Sequence, residues 1–398
     1  MQQNRGRTLV VACGMLFVLG VTTAVLGPVL PELAARTGST LADLGAVFTA
    51  LFLGALAAQT VAGALADRVG ERPVLLGGLA VTMIGVIGVA LSPALPLTLA
   101  SAFVLGLGHG AVDVSTNVLV ARTFADRPVT ALNVLHVFFG GGAVAGPAMA
   151  GLAIEGLGTG LPALYAGLVP LIVLAPLVPP IPRPKRSGDA ESMNGGRAGL
   201  YRSPLVWVLG LLLLLYVGTE MGVSGWATAY MQRATGMSLA EGAYVTSAFW
   251  LALSVGRMVG ATLGARVSSG RVLWLSLAVA SAAGLLLAAV QGQAAASVFA
   301  IALMGFGFGP IFPTTVATAT ARFAGAPGRA TSLIVAMGSI GGMLLPWIQG
   351  QLLDGQGPAA IAMFIAACIL AMVALHAAIG VAAARRRQAA PAEGASTR

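Results

Sequence analysis

PRPKRSGDAESMNGGRAGLYRSP (182–204) is the longest polar stretch inside a chain that is otherwise a succession of apolar runs. Its charges, its Pro and Gly breaks and its lack of periodicity read as a flexible linker. Working outward from it, six apolar runs lie on each side: 8–30, 44–66, 73–92, 97–122, 130–154 and 161–181 before it, and 205–231, 241–265, 271–290, 295–321, 329–352 and 358–384 after it. A helix needs about 20 apolar residues to cross the hydrocarbon core of a bilayer. The expectation is an all-α membrane protein with twelve transmembrane helices in two pseudo-symmetric six-helix bundles. Its parts are residues 1–181, the linker 182–204, residues 205–385, and a disordered tail 386–398.

Composition supports lipid as the solvent. The 398 residues are 57% hydrophobic and 9% charged, with a mean hydropathy of +0.91, whereas a soluble domain is about 25% charged. The net charge of +9 does not signal nucleic acid, because the bases are scattered over short loops and the two ends. With a cytoplasmic N-terminus, 19 of the 22 Lys and Arg lie inside, Arg36 and Arg233 lie outside, and Arg257 lies within a span. That asymmetry obeys the positive-inside rule and puts both termini in the cytoplasm of a plasma-membrane protein. The first run follows Arg5 and Arg7 as a signal sequence would. It is too long and lacks a polar mature sequence after it, so it reads as a retained helix. Cys13 and Cys368 sit in apolar runs at opposite ends and read as free, buried thiols. No HExxH pattern or phosphate-binding glycine loop is present, which argues against an enzyme, a catalytic residue or a metal site.

The two halves repeat. An offset of 199 residues superposes Gly106 on Gly305, Gly108 on Gly307, Gly110 on Gly309, Phe124 on Phe323, Pro147 on Pro346, Gly151 on Gly350 and Glu155 on Asp354. A duplicated six-helix unit suits two bundles that rock about a site at mid-membrane. The copies differ where His109, Asp113, Asn117 and His136 face Phe308, Phe312, Val316 and Val335.

Three charges fall inside apolar runs: Asp113, Glu220 and Arg257. A charge at the bilayer centre costs about 2.5–3.5 kcal/mol or more, so these are candidate functional groups. His109, Asp113 and Asn117 are spaced i, i+4, i+8 and share one helix face. Burial disfavours a charged carboxyl, which suits Asp113 to exchanging a proton. The other reading for Asp113 is a fixed structural pair with His109, a neighbouring basic group or Arg257. Asn133 and His136 share a face of the fifth run, where His136 is placed to relay protons or to bind a hydroxyl. Glu220, followed by Trp226 and Tyr230, offers a carboxylate for paired hydroxyls and rings for the C–H face of a sugar. Trp226 and Tyr230 are equally readable as interface-belt aromatics, while Trp250 lies too deep in its run for a belt. Arg257 is the counter-ion of Asp113 or of Glu220, or it snorkels to the surface; sequence does not choose.

GALADRVGER (63–72) resembles the loop signature of the major facilitator superfamily, Gly-x-Leu-x-Asp-Arg-x-Gly followed by basic residues. Gly63, Leu65, Asp67, Arg68, Gly70 and Arg72 fit, and Glu71 departs. The resemblance implies conformational gating by Gly63, Asp67, Arg68, Gly70 and Arg72, through contacts made in one state only. GLGHGAVDVSTN (106–117), ALNVLHVFFGGGAVAGP (131–147), YVGTEMGVSGWATAY (216–230), SAFWLALSVGR (247–257) and GFGFGPIFPT (305–314) are similar to the fucose-permease-like branch of sugar transporters. That branch has an acidic residue in its first helix, and this chain has none there.

Together these readings imply a secondary transporter working by alternating access, with proton-coupled uptake of a sugar or similar small polar solute. Proton or ion coupling falls to Asp113, Glu220, His109, His136 and Arg257. Substrate binding falls to Asn117, Asn133, Glu220, Trp226, Tyr230 and Trp250. No cofactor is expected; H⁺ is the expected coupling ion, with Na⁺ the alternative. The expected partners are a sugar-like small molecule and the lipid bilayer, with no nucleic acid, and the chain is expected to be a monomer. The competing function is a drug or metabolite exporter, a proton antiporter of the same fold, suggested by GAVAGPAMAG (142–151).

Overall fold

The computed structural model describes residues 2–126, 128–178 and 197–389. Residues 182–196 of the expected linker and 390–398 of the expected tail lie outside them, as do the side chains of Gly63 and Asp67. Lipid offers a backbone no hydrogen bonds, so a spanning chain must satisfy its own amides, and helices do so within one segment. The first half comprises α1 (Gln2–Ala24), α2 (Leu26–Thr37), α3 (Leu41–Leu44), α4 (Ala46–Val69), α5 (Glu71–Leu91), α6 (Leu95–Thr123), α7 (Pro128–Leu157), α8 (Pro162–Ala166) and α9 (Leu168–Leu174). A short α10 (Arg197–Arg202) occupies the end of the linker region. The second half comprises α11 (Pro204–Thr235), α12 (Leu239–Gly264), α13 (Ser269–Ala289), α14 (Ala294–Phe308), α15 (Ile311–Arg322), α16 (Pro327–Gly355) and α17 (Pro358–Ala389).

Among the described residues, ten helices are long and apolar enough to cross a membrane. The sixth expected run is instead broken into α8 and α9, within a shorter apolar stretch Pro162–Leu177. The eighth, α12, is long but is interrupted by Arg257 and is not one of the ten. The tenth run is split between α14 and α15 at Gly309–Pro310. Pro310 and Pro313 lack an N–H, so the helix ladder loses two donors here. The Gly309 carbonyl, whose i+4 partner would be Pro313, loses that helical donor.

The 199-residue repeat is realised as packing. A Cβ on Gly142 of α7 would collide with the Phe17 carbonyl of α1, and a Cβ on Gly341 of α16 would collide with the Leu214 carbonyl of α11. Small residues let paired backbones approach this closely. A second repeat marks the helix starts. Gly38-Ser39-Thr40-Leu41-Ala42-Asp43 and Gly236-Met237-Ser238-Leu239-Ala240-Glu241 each hold a left-handed glycine, with φ 65° and 76°, followed by a capping box. In each box a hydroxyl and a carboxylate reciprocally satisfy the first free amides of the helix.

The halves meet along two seams, α7 against α12 and α16 against α3 and α4, and α2 of the first half also packs against α11 and α12 of the second. At the end carrying the Gly38 and Gly236 turns these seams are closed. Thr49 donates to the Met343 carbonyl (2.7 Å), Ser247 to the Val144 carbonyl (2.6 Å) and Gln351 to the Ala42 carbonyl (3.0 Å). Gly140 of α7 lies against Ser254 of α12 near mid-depth. One to two turns further, the same faces are exposed: Asn133, His136 and Val137 on α7, and Met258 on α12. The helices therefore diverge, and the bundle is open toward the end where Arg68, Arg72, Arg266, Arg271, Arg322 and Arg329 lie, the basic end.

Candidate functional site

The three in-span charges lie around this divergence. Asp113 is half-buried on α6, and the Asn117 amide donates to its Oδ1 at 2.9 Å, the i+4 contact the spacing predicts. One turn earlier, His109 Nδ1 is 3.5 Å from the Thr23 hydroxyl of α1. The stripe thus faces α1 and is held by side chains of its own half.

Glu220 is buried on α11, with a side chain 7% exposed, and Arg257 of α12 reaches it from the open side at 31% exposed. The closest approach is 3.9 Å, from Nη2 to Oε1. The structure thereby selects Glu220 over Asp113 as the partner of Arg257. The other end of the guanidinium, Nε, points at the Gly309 carbonyl at 3.4 Å. That is the carbonyl Pro313 leaves without a helical donor, so one arginine links the buried carboxylate to the break between α14 and α15. His136, across the opening on α7, is within electrostatic range of Arg257. Asn133 is exposed one turn nearer the basic end.

Sequence reasoning missed Tyr216. It precedes Glu220 by one helical turn, and its buried hydroxyl lies beside both Glu220 and Arg257, short of good hydrogen-bond geometry. Its ring meets Phe308 edge-on at 5.6 Å and Phe312 at 6.4 Å. Those two phenylalanines are the repeat counterparts of His109 and Asp113. One half therefore presents polar groups on its fourth span, and the other presents aromatic rings there and carries its charge on α11. The i, i+4 spacing of Tyr216 and Glu220 was the signal available.

The three aromatic candidates are all buried. Trp226 is fully buried, donates to the Pro346 carbonyl at 2.7 Å and meets Phe48 of the other half edge-on at 6.2 Å. Trp250 donates to the Ser224 hydroxyl at 2.7 Å and meets Phe139 of the other half at 6.3 Å. Both plug the closed end. Tyr230 is buried within the second half among Val223, Leu287, Ile301 and Ile365. Trp250 is tied through Ser224 to the turn of α11 next to Glu220, and the burial of Trp226 and Tyr230 is unlike that of belt residues. Trp207 and Trp274, 41% and 45% exposed, fit a belt. At the basic end, Gly70 joins α4 to α5 with φ 97°, a conformation that favours glycine, and Arg68 and Arg72 are exposed.

A family model described as Major Facilitator Superfamily matches residues 12–346 and 209–397. The chain belongs to this superfamily. A rat MFS-type transporter, SLC18B1, is 27% identical over 175 residues, 42% of this chain and 38% of that protein. Sodium-dependent glucose transporter 1 of Xenopus laevis is 24% identical over 233 residues, 52% of this chain and 48% of that protein. The chain thus spans less than half the length of these relatives. Among solved structures, the nucleoside transporter NupG superposes with a TM-score of 0.76 at 12% identity, covering 93% of this chain and 98% of that one. A D-xylose-proton symporter gives 0.77 at 13% identity, covering 93% and 96%. The superfamily and the apolar helices make this an integral membrane protein of the major facilitator fold.

Proposed function

We propose that this protein is a secondary transporter, not an enzyme, that moves a sugar or similar small polyhydroxylated solute by alternating access, coupled to protons. The observation that carries the reading is the Glu220–Arg257 pair at the floor of an opening between two repeated bundles, with Asp113 and His136 on the other half. A charge kept in hydrocarbon at such a cost marks a transport or coupling site. A solute between the halves meets hydrogen-bonding groups from both. Neutralising a carboxylate there changes which of two rocking states is favoured, and that differential stability is what couples an ion to transport. The basic end is assigned to the cytoplasm by the arginine count. The name of the Xenopus relative supports a sugar-like solute, and it keeps Na⁺ as the alternative ion.

The test is accumulation in proteoliposomes under a pH gradient, with a sodium gradient as a separate arm. Asp113→Asn is expected to abolish pH-driven accumulation while solute exchange or binding persists. Undiminished pH-driven uptake in that variant would remove the assignment. The exporter reading draws on the Gly142–Pro147 segment of α7, which packs on the α1 backbone, and on the apolar rim at Val137 and Met258. Broad drug resistance on expression in a sensitive host would favour it.

A further inference from the structure

Two carboxylates 199 residues apart do the same work at the closed end. Glu155, at the end of α7, accepts from the Tyr244 hydroxyl of α12 at 2.9 Å. Gly151, one turn earlier, makes room for the Tyr244 ring. Asp354, at the end of α16, accepts from the Ala42 backbone N–H of α3 at 3.3 Å. It is held in place from its own half by Arg233 at 2.8 Å, which also donates to the Leu353 carbonyl. Each bond crosses from one half to the other, one on the α7–α12 seam and one on the seam of α16 with α3 and α4. Each is received within two turns of a repeated Gly-x-Ser/Thr-Leu-Ala-acid turn, where the capping box fixes the backbone. Carboxylate and receiving turn are therefore both preorganised.

We infer that Glu155 and Asp354 are a matched pair of latches that hold this end shut and set the balance between the two states, without touching the solute. The inference rests on the alternating-access reading. These bonds cannot survive parting of the halves, so they stabilise the closed state alone, and a contact made in only one state shifts the equilibrium by its full value. Glu155 is exposed and Asp354 half-buried, so each bond is modest. A hydrogen bond to a charged group is worth at most a few kcal/mol and less in water, which makes roughly a 3-fold shift for Tyr244→Phe and up to about 10-fold for Asp354→Asn. Lying on separate seams, the two multiply.

The experiment reads conformation directly in the full chain, with no solute or gradient, so it stands or falls separately from the coupling assignment. The native Cys13 and Cys368 are buried. One reporter is Ser224→Cys, behind the closed end, and the other is Val137→Cys, in the opening; each is labelled with a maleimide in detergent-purified protein, where the reagent has access to both ends. Tyr244→Phe, Asp354→Asn and the double variant should raise labelling at 224 and lower it at 137, the double by roughly the product of the singles. An unchanged ratio of the two rates overturns the proposal. A rise at both positions also overturns it, because that reports loosening and not a shift between states. Tyr244→Phe removes a single hydroxyl and tests one latch even if Asp354→Asn fails to fold.

Discussion

The geometry of the Glu220–Arg257 pair predicts an asymmetry between its members. Glu220 is 7% exposed and Arg257 31% exposed. Removing Arg257 leaves a buried carboxyl with no counter-ion, which must stay charged at a cost or take up a proton; removing Glu220 leaves a guanidinium that still has the Gly309 carbonyl and access to water. Breaking a buried pair from one side costs about 3–5 kcal/mol, whereas an exposed pair is worth about 0–1 kcal/mol. Water reaching the opening places Arg257→Gln near the low end of the buried range, about 3 kcal/mol, and Glu220→Gln near 1 kcal/mol. At roughly 2–4 °C per kcal/mol for a unit the size of one half, the melting temperature should fall by roughly 6–12 °C for Arg257→Gln and roughly 2–4 °C for Glu220→Gln. The double variant Glu220→Gln/Arg257→Gln should recover most of the larger loss, because no charge is then stranded. The assay is thermal unfolding of purified protein in detergent at constant pH. Equal losses for the two single variants, a larger loss for Glu220→Gln, or a double variant no better than Arg257→Gln would refute the pairing.

Other outcomes follow from the packing. Gly142→Leu and Gly341→Leu should each abolish folded expression, since the added side chain must push α1 from α7 or α11 from α16; yield of monodisperse protein reads this. Trp226→Phe keeps the plug but deletes the bond to the Pro346 carbonyl, and should cost about 1 kcal/mol in a melt. Thr40→Ala and Ser238→Ala each remove a cap and should destabilise by about 1 kcal/mol in a thermal melt. Pro313→Ala restores a donor for the Gly309 carbonyl and releases Arg257 from it. Solute affinity should change while surface expression does not.

The helices, the two halves and the charged candidates were legible because each is a local property. An apolar run of spanning length must be helical in lipid, and the 199-residue offset between Gly142 and Gly341 is visible wherever glycine is forced by close approach. The repeated Gly-x-Ser/Thr-Leu-Ala-acid turn was equally visible and predicts both helix starts. What the helices face was harder to read. In lipid the outer surface is as apolar as the core, so the pattern that separates inside from outside in a soluble helix is nearly absent. Trp226 and Tyr230 looked alike in the sequence, yet one plugs the seam against Phe48 and the other lies inside its own half.

Sequence by itself determined that this chain lives in a membrane as a duplicated helical unit, and which few groups carry charge across its apolar spans. Tertiary structure decided that Arg257 takes Glu220 and the Gly309 carbonyl and not Asp113, that the seams are closed at the Glu155 and Asp354 end, and that Tyr216 belongs to the charged cluster. The division has a physical basis. Span length and desolvation cost are fixed residue by residue, whereas a partner depends on how helices far apart in the chain are rotated and on which of two rocking states the halves adopt.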